Sequence, residues 1–235
     1  MSGAFSQGDV ISYMEMCTAV GTSLQRGMNY RLPNAGSVFL MSRRPGAPYG
    51  DQVDEAGTTL IYEGHDHPKS DATPIPKNLD QPEKTSKGTL TQNGIFLEAV
   101  RRHKKGQDPA EKVRVFEKIK DGIWVYNGVF ELFDTRTEKS GGRTVFKFIL
   151  RLLQADEPYA APSLAYPTDE DRIIPSSVKL AVWKRDQGMC RTCGAKSRLH
   201  FDHIIPFSKG GSSKDESNIQ ILCGRHNLQK RDRIE

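Results

Sequence analysis

Three stretches decide the fold of the C-terminal part: Cys190-Arg191-Thr192-Cys193, then Leu199-His200-Phe201-Asp202-His203-Ile204-Ile205-Pro206, then Cys223-Gly224-Arg225-His226. The first and third are pairs of metal-binding residues, each pair separated by two residues. That is the spacing at which a knuckle aims two side chains at one ion. Thiolate and imidazole are the ligands tetrahedral zinc prefers. A module of this size has a thin core, and bound zinc can supply roughly 10–16 kcal/mol of folding free energy. Four protein ligands close the coordination shell, so the expected zinc is structural and takes no part in catalysis. An alternative register leaves zinc with the three cysteines and frees His226 for another role.

The middle stretch carries different chemistry. Asp202 is a hard oxygen ligand suited to Mg²⁺ or Mn²⁺, and His203 is a general base near neutral pH. Neighbours on a strand point to opposite faces unless the strand is distorted. Asn218 follows His203 after fourteen residues, and Asn227 follows Asn218 after eight. Lys230, Arg231 and Arg233 continue the segment and suit phosphate contacts. The expected elements are a helix from Ser177, capped by Ser176 or Ser177, a strand over 199–205, a turn at Lys209-Gly210-Gly211 and a helix over 224–233.

This set resembles the HNH nucleases with their ββα-metal fold. The likeness rests on the Asp202-His203-Ile204-Ile205-Pro206 run, the serine and glycines after it, and the cysteine framework. It covers 177–235. The resemblance implies that His203 activates water and that Asp202 and Asn227 hold one catalytic divalent ion. It also implies that Asn218 braces the loop and orients His203. Many members have His where this chain has Asn227, and Cys where it has His226.

Upstream, residues 154–175 hold four prolines and five acidic residues without apolar periodicity, which reads as a linker. The expected organisation is a module over 1–153, the linker, and a module over 176–235. Charge is divided the same way. Residues 176–235 carry 12 Lys and Arg against 6 Asp and Glu, leaving 22 against 23 elsewhere, so the net +5 is a C-terminal polyanion footprint. Cys17 stands apart from the other three cysteines and reads as a small buried hydrophobe. No run approaches the ~18 apolar residues of a membrane span, and no basic-then-apolar segment opens the chain. A cytoplasmic location is expected.

The N-terminal module reads as β-rich, a closed or strongly curved sheet in an α+β protein. Strands are expected at Ser37–Met41, Thr58–Tyr62, Lys112–Phe116 and Thr144–Leu153. Asn127-Gly128 is expected to form a turn within Gly122–Phe133. Residues 9–25 suit a helix, and 64–88 a long polar loop containing His65 and His67.

Within it, Tyr49-Gly50-Asp51-Gln52-Val53-Asp54, Gly57, Tyr62-Glu63-Gly64, Leu90-Thr91-Gln92-Asn93, Val113-Arg114-Val115, Tyr126-Asn127-Gly128 and Phe146-Lys147-Phe148 follow in order. The set resembles the SRA (YDG) domain, an SRA/PUA-like curved barrel that binds modified cytosine in DNA, over roughly 25–153. The resemblance implies base flipping. Tyr49 and Tyr62 would stack on the base, and Asp51, Gln52 or Asp54 would read its edge, since a carboxylate accepts from cytosine N4. Arg43, Arg44, Arg101, Arg102, Lys104 and Lys105 are candidates for backbone contacts.

The expectation is therefore a modification-dependent endonuclease. It recognises 5-methylcytosine or 5-hydroxymethylcytosine in double-stranded DNA and cuts nearby, with a possible homodimer for cutting both strands. The rival readings are an HNH nuclease of low specificity with a DNA-gripping N-terminal domain, and a non-catalytic reader of modified DNA.

Overall fold

The structure is a computed structural model that describes residues 5–54, 57–71, 73–153, 174–206, 209–230 and 233–234. Most of the expected linker, residues 154–173, lies outside the described residues, as do Arg231 and Asp232.

The chain opens with strand β1 (Asp9–Ser12) and helix α1 (Tyr13–Val20). Ser12 caps α1 in a reciprocal capping box with Glu15, and Gly21 ends it in the left-handed conformation. The single helix expected over 9–25 is thus a strand plus a two-turn helix, because Val10 and Ile11 pair with Val125 and Trp124. Strands β2 (Met28–Leu32), β3 (Gly36–Met41), β4 (Gln52–Val53) and β5 (Thr59–Glu63) follow. Helix α2 (Gln92–Lys104), capped by Thr91, then precedes β6 (Glu111–Lys120), β7 (Ile123–Ser140) and β8 (Arg143–Leu152). The C-terminal part contains α3 (Ser176–Arg185), β9 (Leu199–His203), β10 (Ile219–Cys223) and α4 (Gly224–Lys230).

One sheet runs through both parts in the order β10-β9-β1-β7-β6-β3-β2, with β8 pairing β7 and β5, and β4 pairing β5. Only β3 and β6 are parallel among its pairs. Asn127-Gly128 does not make the expected turn. It lies inside the 18-residue β7, and opposite it the β6–β7 register slips by one residue. Asn127 is the extra residue of this bulge, and Gly128 adopts φ +102° to accommodate it. The tight turns fall at Asp121-Gly122 and Gly141-Gly142 instead.

The larger core gathers Phe39, Tyr62, Phe96, Phe130 and Phe148 between the sheet and α2. A second core joins Ile119 and Val125 of the N-terminal strands to Val178, Val182, Leu199, Phe201 and Ile221. Residue 9 pairs with 200, and 10 with 199, so the nuclease-like module continues the N-terminal sheet. Cys17 is half-buried against a third cluster around Met16 and Val38. No helix among the described residues is long and apolar enough to cross a membrane.

Candidate active site, metal centre and base cleft

The knuckle after α3, the end of β10 and the first turn of α4 bring Cys190, Cys193, Cys223 and His226 together, with all ligand atoms within 4.8 Å of one another. Sγ of Cys223 lies 3.3 Å from Nδ1 of His226, Sγ of Cys190 3.5 Å from the same nitrogen, and Sγ of Cys193 3.8 Å from Sγ of Cys223. A tetrahedral ion with metal–sulfur bonds of about 2.3 Å has sulfur–sulfur edges of about 3.8 Å. The donor set therefore fits a four-coordinate ion, with His226 among the ligands. Burial raises the Cys190 thiol, but the backbone N–H groups of Cys223, Cys193 and Thr192 and the His226 ring outweigh it and lower it to about 6. That favours the thiolate a metal binds.

Ten residues downstream of the knuckle, β9 ends in Asp202 and His203. Nε2 of His203 lies 2.8 Å from Oγ of the buried Ser213. Asp202 Oδ2 accepts from Gln220 Nε2 at 3.2 Å and pairs with the Lys230 ammonium at 3.1 Å. Lys230 also donates to the His203 carbonyl at 2.6 Å. The expectation that Lys230 reaches out to phosphate is corrected here: α4 turns this side chain inward, where it is 1% exposed.

Asn218 is hydrogen-bonded to the loop that follows β9. It accepts from Ile205 N–H at 2.8 Å and donates to the carbonyls of Ile205 and Ser212. Its side chain holds the loop, and the His203 ring is hydrogen-bonded to Ser213. Gly211 of this loop has a steric reason. A Cβ on Gly211 would sit 1.7 Å from the Ile205 carbonyl oxygen and 2.7 Å from Asn218 Nδ2. Asn227 projects from α4, half-buried, with its amide free of hydrogen bonds among the described residues.

A second site opens in the N-terminal part, a cleft of about 410 Å³ whose lining includes Arg26, Gly27, Ser42, Tyr49, Asp51 and His65. The Tyr49 ring stacks on His65 at 5.1 Å and 17°, and the Lys77 ammonium lies 4.2 Å from its centroid. Burial lowers His65 to about 4, so the ring is neutral at physiological pH. Tyr62 donates its hydroxyl to the Leu40 carbonyl, and its oxygen lies 3.0 Å from His65 Nε2. Gly27 permits this arrangement, since a Cβ there would come within 2.6 Å of that nitrogen.

Asp51 is the acid that lines the cleft. Its two oxygens accept from the backbone N–H groups of Ser42 and Glu63. Burial nevertheless raises its carboxyl to about 7. The wall behind it is a buried ionic network in which Glu63 accepts from Lys147 at 2.9 Å and from Arg143.

Three sequence expectations change. Tyr62 faces the core together with Leu60 on β5 and stacks on Phe39 at 4.3 Å, so it offers no free face to a base. Gln52 is exposed on the two-residue β4, away from the cleft lining. Asp54 spends its carboxylate on the N–H groups of Thr58 and Thr59. Of the basic candidates, Arg44 lines the cleft and pairs with Asp121, while Arg101, Arg102 and Lys104 pair with Glu83, Asp108 and Asp134. His65 and Ser213 were missed by the sequence reading, because one sits in a polar loop and the other in a serine-rich turn.

Residues 190–233 match the family model of the HNH endonucleases. The matched segment carries Asp202, His203, Asn218, Asn227 and the Cys190–Cys193–Cys223–His226 cluster. Among solved structures, the SUVH5 SRA domain in complex with hemimethylated CG DNA is 23% identical, covering 71% of this chain and 97% of that one with a TM-score of 0.44. The same domain bound to fully hydroxymethylated CG DNA is 22% identical over the same shares, with a TM-score of 0.45. The modification-dependent restriction endonuclease TagI is 16% identical, covering 97% of this chain and 78% of that one with a TM-score of 0.42. No curated protein matches the chain.

Proposed function

We propose that the protein is a modification-dependent DNA endonuclease that takes a modified cytosine into the Tyr49–Asp51–His65 cleft and hydrolyses a nearby phosphodiester bond at His203. The observation that supports the reading is the coexistence, in one chain, of a segment matching the HNH endonucleases and an aromatic cleft with a carboxyl on its wall. Tyr49 and the neutral His65 supply flat faces for a flipped base. A carboxyl that titrates near 7 suits the Watson–Crick edge of cytosine. One oxygen accepts from N4, and the proton it holds part of the time can be given to N3. Arg26 and Arg44 at the cleft supply positive charge for the flanking phosphates.

At the nuclease site, Asp202 and Asn227 would hold the divalent ion, Mg²⁺ or Mn²⁺. Their donor types suit it: a carboxylate that is also held by Lys230 and Gln220, and an amide without a hydrogen bond among the described residues. When bound, that ion neutralises charge at the phosphate and the leaving oxygen. His203 accepts a proton from the attacking water, with Ser213 fixing its ring. The Cys190–Cys193–Cys223–His226 cluster would hold zinc and stabilise the module. One such site cuts one strand, so cutting a duplex takes two chains. A nuclease acting on intracellular DNA belongs in the cytoplasm.

The test is cleavage of matched duplexes carrying cytosine, 5-methylcytosine or 5-hydroxymethylcytosine, with Mg²⁺, Mn²⁺ or EDTA. Metal-dependent cutting of the modified duplexes is expected, with a loss of about 10²–10⁴ in rate for His203→Ala. Equal cutting of all three duplexes would overturn recognition of the modification. Absence of cutting with either metal would overturn the nuclease.

A further inference from the structure

The bulge residue Asn127 and the neighbouring β6 residue Glu117 meet the first turns of α3 in a fully buried polar cluster. Lys179 Nζ donates to Glu117 Oε2 at 2.6 Å and to Asn127 Oδ1 at 2.7 Å. Asn127 Nδ2 donates to the same Glu117 oxygen at 3.1 Å, and Ser176 Oγ donates to the other. Lys179 and Glu117 side chains are 2% and 1% exposed. Every polar atom of the pair has a partner, which is the condition for holding a charge pair out of water. Around this cluster lie the β1–β9 pairing and an apolar core drawn from both modules.

The cluster also reaches the cleft. Asn127 Nδ2 lies 3.7 Å from Met41 Sδ, and Met41 is part of the cleft lining. The connecting segment over 154–175 suggests two modules on a tether; these contacts describe a single body instead.

We infer that Glu117, Asn127 and Lys179 lock the nuclease module to the cleft-bearing module, so that the cut falls at a fixed offset from the recognised base whatever the length of the connecting segment. The inference rests on the modified-cytosine reading for its cleavage readout, and on the docking contacts alone for its shape readout.

The experiment inserts ten Gly/Ser residues between Ser163 and Leu164 in the full chain. Such an insert spans roughly 17 Å, or about five base pairs of duplex at 3.4 Å each. Small-angle scattering of parent and insertion protein is compared without DNA. Cut positions are then mapped on a duplex with one modified cytosine. Superimposable profiles, apart from the added loop, and unchanged cut positions are expected. An expanded profile overturns the docking. Matching profiles with cuts spread over about five base pairs overturn the fixed offset.

Adding Lys179→Met to the insertion protein removes the counter-charge of the buried Glu117 carboxylate, and an expanded profile with spread cuts is expected. No change in either would remove the ion pair from the lock; if that variant fails to fold, the insertion alone decides. A parent that cuts unmodified DNA equally well defeats the reading of the cleft, while the scattering comparison still tests the docking.

Discussion

Replacing Asp51 by Asn removes a carboxyl that the fold holds in an unusual state. Asp51 is raised from an ordinary 3.8 to about 7, chiefly by burial, against the two N–H groups that favour its ionised form. Between those two values the folded protein keeps a proton that the unfolded chain has released. Stability from this group is therefore present below about pH 4, falls as pH rises toward about 7, and stays lost above it. At 1.36 kcal/mol per unit the upper bound is on the order of 4 kcal/mol. The cleft is open to water, and screening brings the figure toward about 2 kcal/mol. Asn keeps the shape and cannot titrate. The assay is urea unfolding of parent and Asp51→Asn across this pH range, taking the difference at each pH so that the other carboxylates cancel. The parent is expected to lose about 2 kcal/mol relative to the variant between pH 4 and 7. A difference that stays flat across that window refutes the argument.

Lys230→Met removes the buried ammonium that pairs with Asp202 and donates to the His203 carbonyl; a destabilisation of about 3–5 kcal/mol in chemical unfolding and loss of cleavage are expected. Gly211→Ala drives a methyl into the Ile205 carbonyl, and should cost about 1–3 kcal/mol of stability, with nuclease activity falling while binding to modified DNA persists in a gel-shift assay. Cys223→Ser should lower zinc measured by elemental analysis from one ion per chain to a small fraction and lower the melting temperature. A strong chelator applied to the parent should reproduce the second effect.

What could be read from the sequence was the part where chemistry fixes residue type and spacing together. Cys190, Cys193, Cys223 and His226 stand at a spacing that a four-donor metal site would require, and they do converge; the Asp202–His203 pair announces itself for a similar reason. What could not be read depended on distant partners. Asn127-Gly128 carries a strong hairpin signal, yet Asn127 is drawn inward by Glu117 and Lys179, and β7 runs on through it. Helix α2 begins Gln92-Asn93-Gly94, a poor helical start, and is held by Phe96, Leu97 and Val100 packing into the larger core. The pairing of β1 with β9 spans some 190 residues, which no local periodicity encodes. Tyr62 was misassigned because an aromatic residue on a half-buried strand can face either the base or the core, and parity with Leu60 decides it for the core.

Helix α4 has seven residues, fewer than the roughly 12–15 that let a helix stand alone in water. Its first turn is anchored through His226 to the thiolates, and its last residue, Lys230, is anchored beneath Asp202 and His203. Asn227 is thus carried on a span with a pier at each end. Folding of α4 and assembly of the Cys/His cluster should then be one cooperative event, and the amides of α4 should exchange with solvent as a single unit.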